Sequence, residues 1–249
     1  MAEVLSSIIS TKHWVKHCEK KPIVHELNEK NIAKRRERAG GLLELISGDN
    51  LKKVITTDEK WFTFRGGKGQ RKVQYADRGQ TRDQLNLYEE DNKKTIGVMV
   101  WAGICWEGKT TLQFVKPGAK INSTYYCEEI ITKFLNKDAK RLYPNGDYLF
   151  QQDGATSHTS RVTTSFLRSH MNFISKDQWP PKSCDLAPMD YSIWSWMQRE
   201  VAKEFSDMSS FKKAILRVWS RLPLAIIRTT LESWPKRVKA MMKNKGRHI

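Results

Sequence analysis

Three aspartates stand where a carboxylate can be held still. Asp58 follows the β-branched run of "KKVITTDEKWFTF", Asp153 follows the apolar start of "YLFQQDGATSHTS", and Asp190 closes "WPPKSCDLAPMD", two residues after Pro188. Carboxylates that converge without bases beside them repel one another, and some of their pKa values rise. A divalent cation removes that penalty, and oxygen ligands with open water positions suit Mg²⁺ or Mn²⁺. Two such ions can activate a water or a 3′-hydroxyl and stabilise the leaving oxygen of an in-line attack on a phosphodiester. Taken singly, an Asp at a strand end is more commonly a turn former or a helix cap. The chemistry therefore depends on whether the chain brings the three together.

The elements needed for that are legible. Residues 52–64 read as a strand ending near Asp58, and 147–152 as a strand delivering Asp153. If the two are parallel neighbours, both acids emerge at carboxyl ends, where open α/β sheets bind their ligands. Further strands are expected near 71–75, at 95–105 and at 110–115, the last two joined by Glu107-Gly108, with a short one at 172–175. Helices are expected over 26–46 with Asn28 as cap and a break at Gly40-Gly41, over 121–141 with Asn122 or Ser123 as cap, and over 159–169. Pro188 belongs in a first helical turn, so a helix should start there and run through Phe205, placing Asp190 at its beginning. The remainder reads as helical and basic, with Trp219 and Trp234 as apolar anchors. The order of elements predicts an α/β fold with a mixed five-stranded sheet flanked by helices. Residues 1–50 are expected to form a helical linker arm and 51–249 the main domain.

The chain of 249 residues carries 44 Lys and Arg against 27 Asp and Glu, a net charge of +17. The excess is greatest over 191–249, where 13 basic residues face 4 acidic ones. Such a field favours a polyanion, because each neutralised phosphate releases condensed counterions. No apolar run is long enough to span a membrane, and the apolar part of "MAEVLSSIISTKHW" is too short for a signal peptide. Cys18, Cys105, Cys127 and Cys184 are scattered without a CxxC pair, which reads as reduced thiols.

Four stretches together resemble the mariner superfamily of DDE/D transposases: "TTDEKWF" (56–62), "GVMVWAGI" (97–104), "QQDGATSHTS" (151–160) and "WPPKSCDLAPMDYSIW" (179–194). In order, they look like that family's first catalytic Asp, its hydrophobic third strand, its second Asp and the loop leading to its third acid. "VHELNEKN" (24–31) is similar to the mariner linker, and "LESWPKRVKAMMKNKGRHI" to the C-terminal end. The resemblance implies a ribonuclease H-like fold, metal-dependent DNA cleavage and strand transfer with Mg²⁺ or Mn²⁺, two ions, and action on DNA in the nucleus as a homodimer. It assigns Asp58, Asp153 and Asp190 as catalytic metal ligands, with His158 orienting a water or contacting phosphate. An Asp in the third place favours the mariner branch. There are 36 residues between Asp153 and Asp190, Cys184 stands where the family usually has proline, and "GRH" replaces a near-terminal Gly-Gly-His. The likeness starts at about the linker, so the family's paired helix-turn-helix region is expected to be missing. A catalytically silent, domesticated DNA-binding remnant is the rival expectation, and a structure-selective nuclease without strand transfer a third.

Other signals weigh less. "FRGGKGQRK" lacks the GxxxxGK[ST] of a phosphate loop, so a basic hairpin turn is expected there. Its Lys68, Arg71 and Lys72, with Lys182 of the proline-rich loop, are candidate DNA-phosphate contacts. His13, His17 and Cys18 in "HWVKHC" lack the further ligands of a zinc site. "AKRRERA" (33–39) fits a solvated helix face, and Trp194, Trp196, Trp219 and Trp234 fit core or subunit contacts.

Overall fold

The computed structural model describes residues 26–64, 96–201 and 205–249. The expected strand at 71–75 and the residues Lys68, Arg71 and Lys72 lie outside that range, as does "HWVKHC". Six strands pair among the described residues: β1 (Val54–Thr63), β2 (Gly97–Cys105), β3 (Gly108–Lys109), β4 (Gln113–Phe114), β5 (Leu149–Gln151) and β6 (Asn172–Phe173). Their order is β3-β2-β1-β5-β6, with β4 also on β2. β2 runs antiparallel to β1, whereas β5 is parallel to β1 and β6 to β5, which makes the mixed sheet that the element order predicts.

β3 and β4 occupy one edge lane, so the sheet has five lanes, and the strand expected at 110–115 is interrupted. Thr110 accounts for the interruption. Its N–H donates to the Gly103 carbonyl at 2.9 Å, while its hydroxyl oxygen accepts the Gly103 N–H at 2.8 Å. The next amide, of Thr111, turns away from the sheet to the buried carboxylate of Asp138 at 3.0 Å. Gly103 is required beside this turn, because a Cβ there would lie 2.6 Å from Thr57 Cγ2 and 2.8 Å from the Thr56 carbonyl.

Successive strand residues face opposite layers. Val54 and Phe62 of β1 and Val100, Ala102 and Ile104 of β2 belong to the larger core, with Ala39, Leu42, Trp194 and Trp234. Ile55, Trp101, Cys105 and Phe150 belong to the second, with Tyr126, Ile130, Phe134 and Leu167. Glu29–Leu45 buries Ile32, Arg35, Ala39 and Leu42 at helical spacing and packs on Leu224–Lys243. Two expectations fail in this helix. It continues through Gly40-Gly41, since the burial of Ala39 and Leu42 on either side outweighs the roughly 1 kcal/mol per glycine that propensity opposes. And Arg35 is wholly buried instead of lying on a solvated face.

The helical segment over 123–142 crosses the second core, with Asn122 Oδ1 accepting the Tyr125 N–H at 2.9 Å as its cap. Arg161–His170 starts from Ser160, whose hydroxyl accepts the Thr163 N–H at 3.1 Å. The helix after Pro188 spans 189–200, stopping short of the predicted Phe205. The Phe205 ring packs 5.2 Å from that of Phe211, and Asp207 caps Met208–Arg221. Trp219 and Trp234 are buried, as expected of anchors. No described helix is long and apolar enough to cross a membrane.

Candidate active site

The register of the parallel pair aligns the first two acids. Val54 lies opposite Leu149 and Thr56 opposite Gln151, and the next residues of the same parity are Asp58 and Asp153. Thr57 Oγ1 donates to the Gln151 carbonyl at 3.0 Å, closing the seam behind them. Asp58 shares its sheet face with the larger core, and there Trp194 Nε1 donates to its Oδ2 at 2.7 Å. Burial, followed by the carboxylates of Asp190 and Glu59, pushes Asp58 well above the usual carboxylate range; Asp153 adds to the push and Trp194 opposes it.

Asp153 is held from its own side. Its Oδ1 accepts His158 Nδ1 at 2.6 Å and the Ala155 N–H at 2.9 Å. Burial works to raise its pKa, yet His158 and that amide keep it below the ordinary value. His158 Nε2 faces Glu59 Oε1 at 3.3 Å, so both ring nitrogens meet carboxylates. The ring lies 4.2 Å from that of Tyr126. Tyr126 donates to Gln152 Oε1 at 2.7 Å, and Gln152 Nε2 donates to the His158 carbonyl at 3.0 Å. Burial disfavours the charged imidazole, but the Glu59 and Asp153 carboxylates outweigh it and raise His158 to about 10.

Asp190 lies in the first turn of the 189–200 helix, one turn before Trp194. It lines one cavity of about 630 Å³ together with Asp58, Glu59, Asp153 and His158. Lys34 and Arg38 of the N-terminal helix, with Lys176 and Lys182, line the same cavity. Lys182 Nζ also donates to the Glu26 carbonyl at 2.9 Å. The donor set suits a hard divalent cation: carboxylate oxygens, with the Asp58 carboxyl pushed up by burial and then by its acidic neighbours. Among the described residues no three His, Cys, Asp or Glu side chains are already grouped around a single point.

No family model matches the chain. It is 30% identical over 196 residues to the Tcb1 transposase of Caenorhabditis briggsae, covering 77% of this chain and 68% of that one. The chain belongs to the Tc1/mariner transposases. Another Tc1/mariner relative, the Tc3 transposase of Caenorhabditis elegans, is 30% identical over 208 residues, 81% of this chain and 59% of that one. The mariner Mos1 transposase of Drosophila mauritiana is 29% identical over 201 residues, 77% and 55%. Among solved structures, the Mos1 paired-end complex with left transposon end matches at TM-score 0.74 and 25% identity, covering 92% of this chain and 66% of that one. The Mos1 catalytic domain matches at TM-score 0.69 and 20% identity, 92% and 100%, so the fold is that ribonuclease H-like domain. The chain thus spans between half and two thirds of the length of several of the Tc1/mariner relatives it matches.

Two residues that support these acids were not assigned to the site from the sequence. Glu59 directly follows Asp58, and strand alternation sends it to the opposite layer, toward His158. Trp194 was expected only as an apolar contact, yet its N–H sits on the first acid. Its spacing of four residues from Asp190 was the available signal, because it places both on one helix face.

Proposed function

We propose that this chain is the catalytic portion of a transposase, cleaving DNA phosphodiesters and transferring strands at Asp58, Asp153 and Asp190 with two Mg²⁺ or Mn²⁺ ions. The observation that carries the reading is the opening of these three carboxylates, from β1, the end of β5 and the helix after Pro188, onto one cavity. Solved Mos1 complexes bear the names of paired-end complexes with Mn and with Mg and of a strand transfer complex, which supports divalent metal and transposon-end DNA here. The same names support a homodimer gripping two ends, and a DNA substrate argues for action in the nucleus.

Divalent ions at these carboxylates would supply an activated oxygen nucleophile and a stabilised leaving oxygen. The chain's own side chains supply the aim. Trp194 fixes Asp58 by one oxygen, while His158 and the Ala155 amide fix Asp153 by one oxygen. His158 is thereby a positioning residue, its imidazolium balancing Glu59 and Asp153 instead of meeting the substrate. Lys34, Lys176 and Lys182 on the facing rim would take the phosphodiester backbone, and neutralising any one of these cations would make binding less salt-dependent.

The test is cleavage of a labelled duplex by the purified chain with Mn²⁺ and with EDTA, beside Asp153→Ala. Nicking that requires Mn²⁺ and vanishes in the variant supports the reading. Salt-sensitive binding without nicking would establish the silent DNA-binding remnant instead.

A further inference from the structure

One guanidinium joins three distant parts of the chain beside the third acid. Arg35 Nη1 donates to Ser183 Oγ at 2.6 Å and to Asp185 Oδ1 at 3.0 Å. Its Nη2 donates to Asp185 Oδ2 at 2.6 Å, its Nε to the Gly246 carbonyl at 2.7 Å, and Nη1 also reaches the Lys182 carbonyl at 3.3 Å. Both side chains of the ion pair are almost wholly buried. A pair so placed survives desolvation only when further hydrogen bonds satisfy it, as these do. The C-terminal turn reaches Arg35 because residue 246 is glycine: its φ is +85°, and a Cβ would lie 2.6 Å from the Ile32 carbonyl.

From this anchor the chain is stiff up to the third carboxylate. The Leu186 and Ala187 amides donate to the Ser183 carbonyl at 3.0 and 3.1 Å, and the Tyr191 amide donates to that of Ala187 at 3.0 Å. Arg237 Nε holds the Asp185 carbonyl at 2.7 Å from the C-terminal helix. Asp190 lies within this run of bonded turns, five residues past Asp185 and in a helix, not a strand.

We propose that Arg35 is a positioning residue for Asp190: by clamping Ser183, Asp185 and Gly246 together it sets where the third carboxylate stands relative to Asp58 and Asp153. The inference rests on the catalytic reading above, and it makes the N-terminal helix and the last four residues working parts of the site.

Arg35→Lys tests it, since lysine keeps the charge but cannot span three acceptors with one planar fork. Mn²⁺ affinity is measured by displacement of Tb³⁺, whose emission the Trp194 indole beside Asp58 should sensitise, together with kcat and KM on duplex DNA. Leu142→Ala, a core truncation beneath the other face of the sheet, controls for lost stability. The expected result is a loss of about tenfold or more in Mn²⁺ affinity and a fall in kcat for Arg35→Lys, in the range usual for residues that orient metal ligands. KM for DNA should stay within about twofold, and Leu142→Ala should bind Mn²⁺ like the wild type. Wild-type Mn²⁺ affinity and kcat in Arg35→Lys would overturn the proposal and leave Arg35 a purely structural clamp. If Arg35→Lys does not fold, Ser183→Ala, which removes one acceptor and strands no charge, decides the matter by the same two outcomes. A wild-type protein that binds neither Tb³⁺ nor Mn²⁺ would overturn the catalytic reading itself, and the proposal with it.

Discussion

Trp194→Phe tests how Asp58 is held. The indole is almost fully buried, lies 6.0 Å from the Phe62 ring and 6.3 Å from that of Trp219, and donates to Asp58 Oδ2 at 2.7 Å. Phenylalanine keeps much of the packing and removes the donor. A hydrogen bond to a charged group contributes about 1.5–3 kcal/mol, and the lost ring volume adds to that. A total near 3 kcal/mol would lower Tm by about 6–12 °C in a domain of this size. The packing part is separated by a double-mutant cycle with Asp58→Ala, followed by urea unfolding in EDTA, where a coupling of about 1.5 kcal/mol or more is expected. The Mn²⁺ affinity of Trp194→Phe should also fall about 10- to 100-fold, the usual loss when a ligand's supporting partner is removed. A coupling below about 0.5 kcal/mol, no larger than that of independent sites, would refute the claim that the indole aims Asp58.

Divalent ions should stabilise the wild type, with a raised Tm, by a free energy that grows with the logarithm of concentration and reaches about 2.7 kcal/mol at a hundredfold excess over Kd, and chelation should reverse it. Asp153→Ala should lose most of that shift; an equal shift in the variant would place the ion elsewhere. In the metal-free protein, His158 is raised from 6.5 to about 10, so the stability it lends is whole below pH 6.5 and is lost as pH rises through about 10. Unfolding free energies from urea titrations across that window should decline by up to about 1.4 kcal/mol per pH unit and flatten in His158→Gln, and parallel curves would exclude the histidine as the cause. Gly103→Ala forces a methyl against Thr57 and the Thr56 carbonyl, and should cost about 1–3 kcal/mol by chemical denaturation, whereas an unchanged midpoint would mean that β1 and β2 separate freely.

Much of this site was legible because two of its acids follow buried strand runs, although β1 does not end near Asp58 as expected but continues to Thr63, its pairing with β2 carrying it on. The apolar and β-branched runs before Asp58 and Asp153 announce buried strands, and the crossover helix between them makes a parallel pairing the natural one. Pro188 likewise announced the helix that carries Asp190. Side-chain partnerships were harder to read. Arg35 sits in a basic run, and composition alone assigns such a run to solvent; only its place on the Ile32, Ala39 and Leu42 stripe betrays its burial. The acceptors that justify burying it lie about 150 and 211 residues away, beyond any local pattern. The interruption of the edge lane formed by β3 and β4 is equally non-local, since it depends on Asp138 of the crossover helix capturing the Thr111 amide. The break expected at Gly40-Gly41 failed for the complementary reason: a local propensity was overruled by the core on both sides.

The parallel register of β1 and β5 also says which changes in chain length the site can absorb. Asp58 and Asp153 are each counted from a paired residue two positions back, Thr56 and Gln151, and not from one another. Insertions anywhere in the long connection between the strands leave both counts intact. One residue gained or lost at 57 or 152 turns a carboxylate to the wrong layer, however well the rest of the domain folds. In decayed copies of such an element, those two short overhangs are where a single lost codon would silence the site while sparing the scaffold.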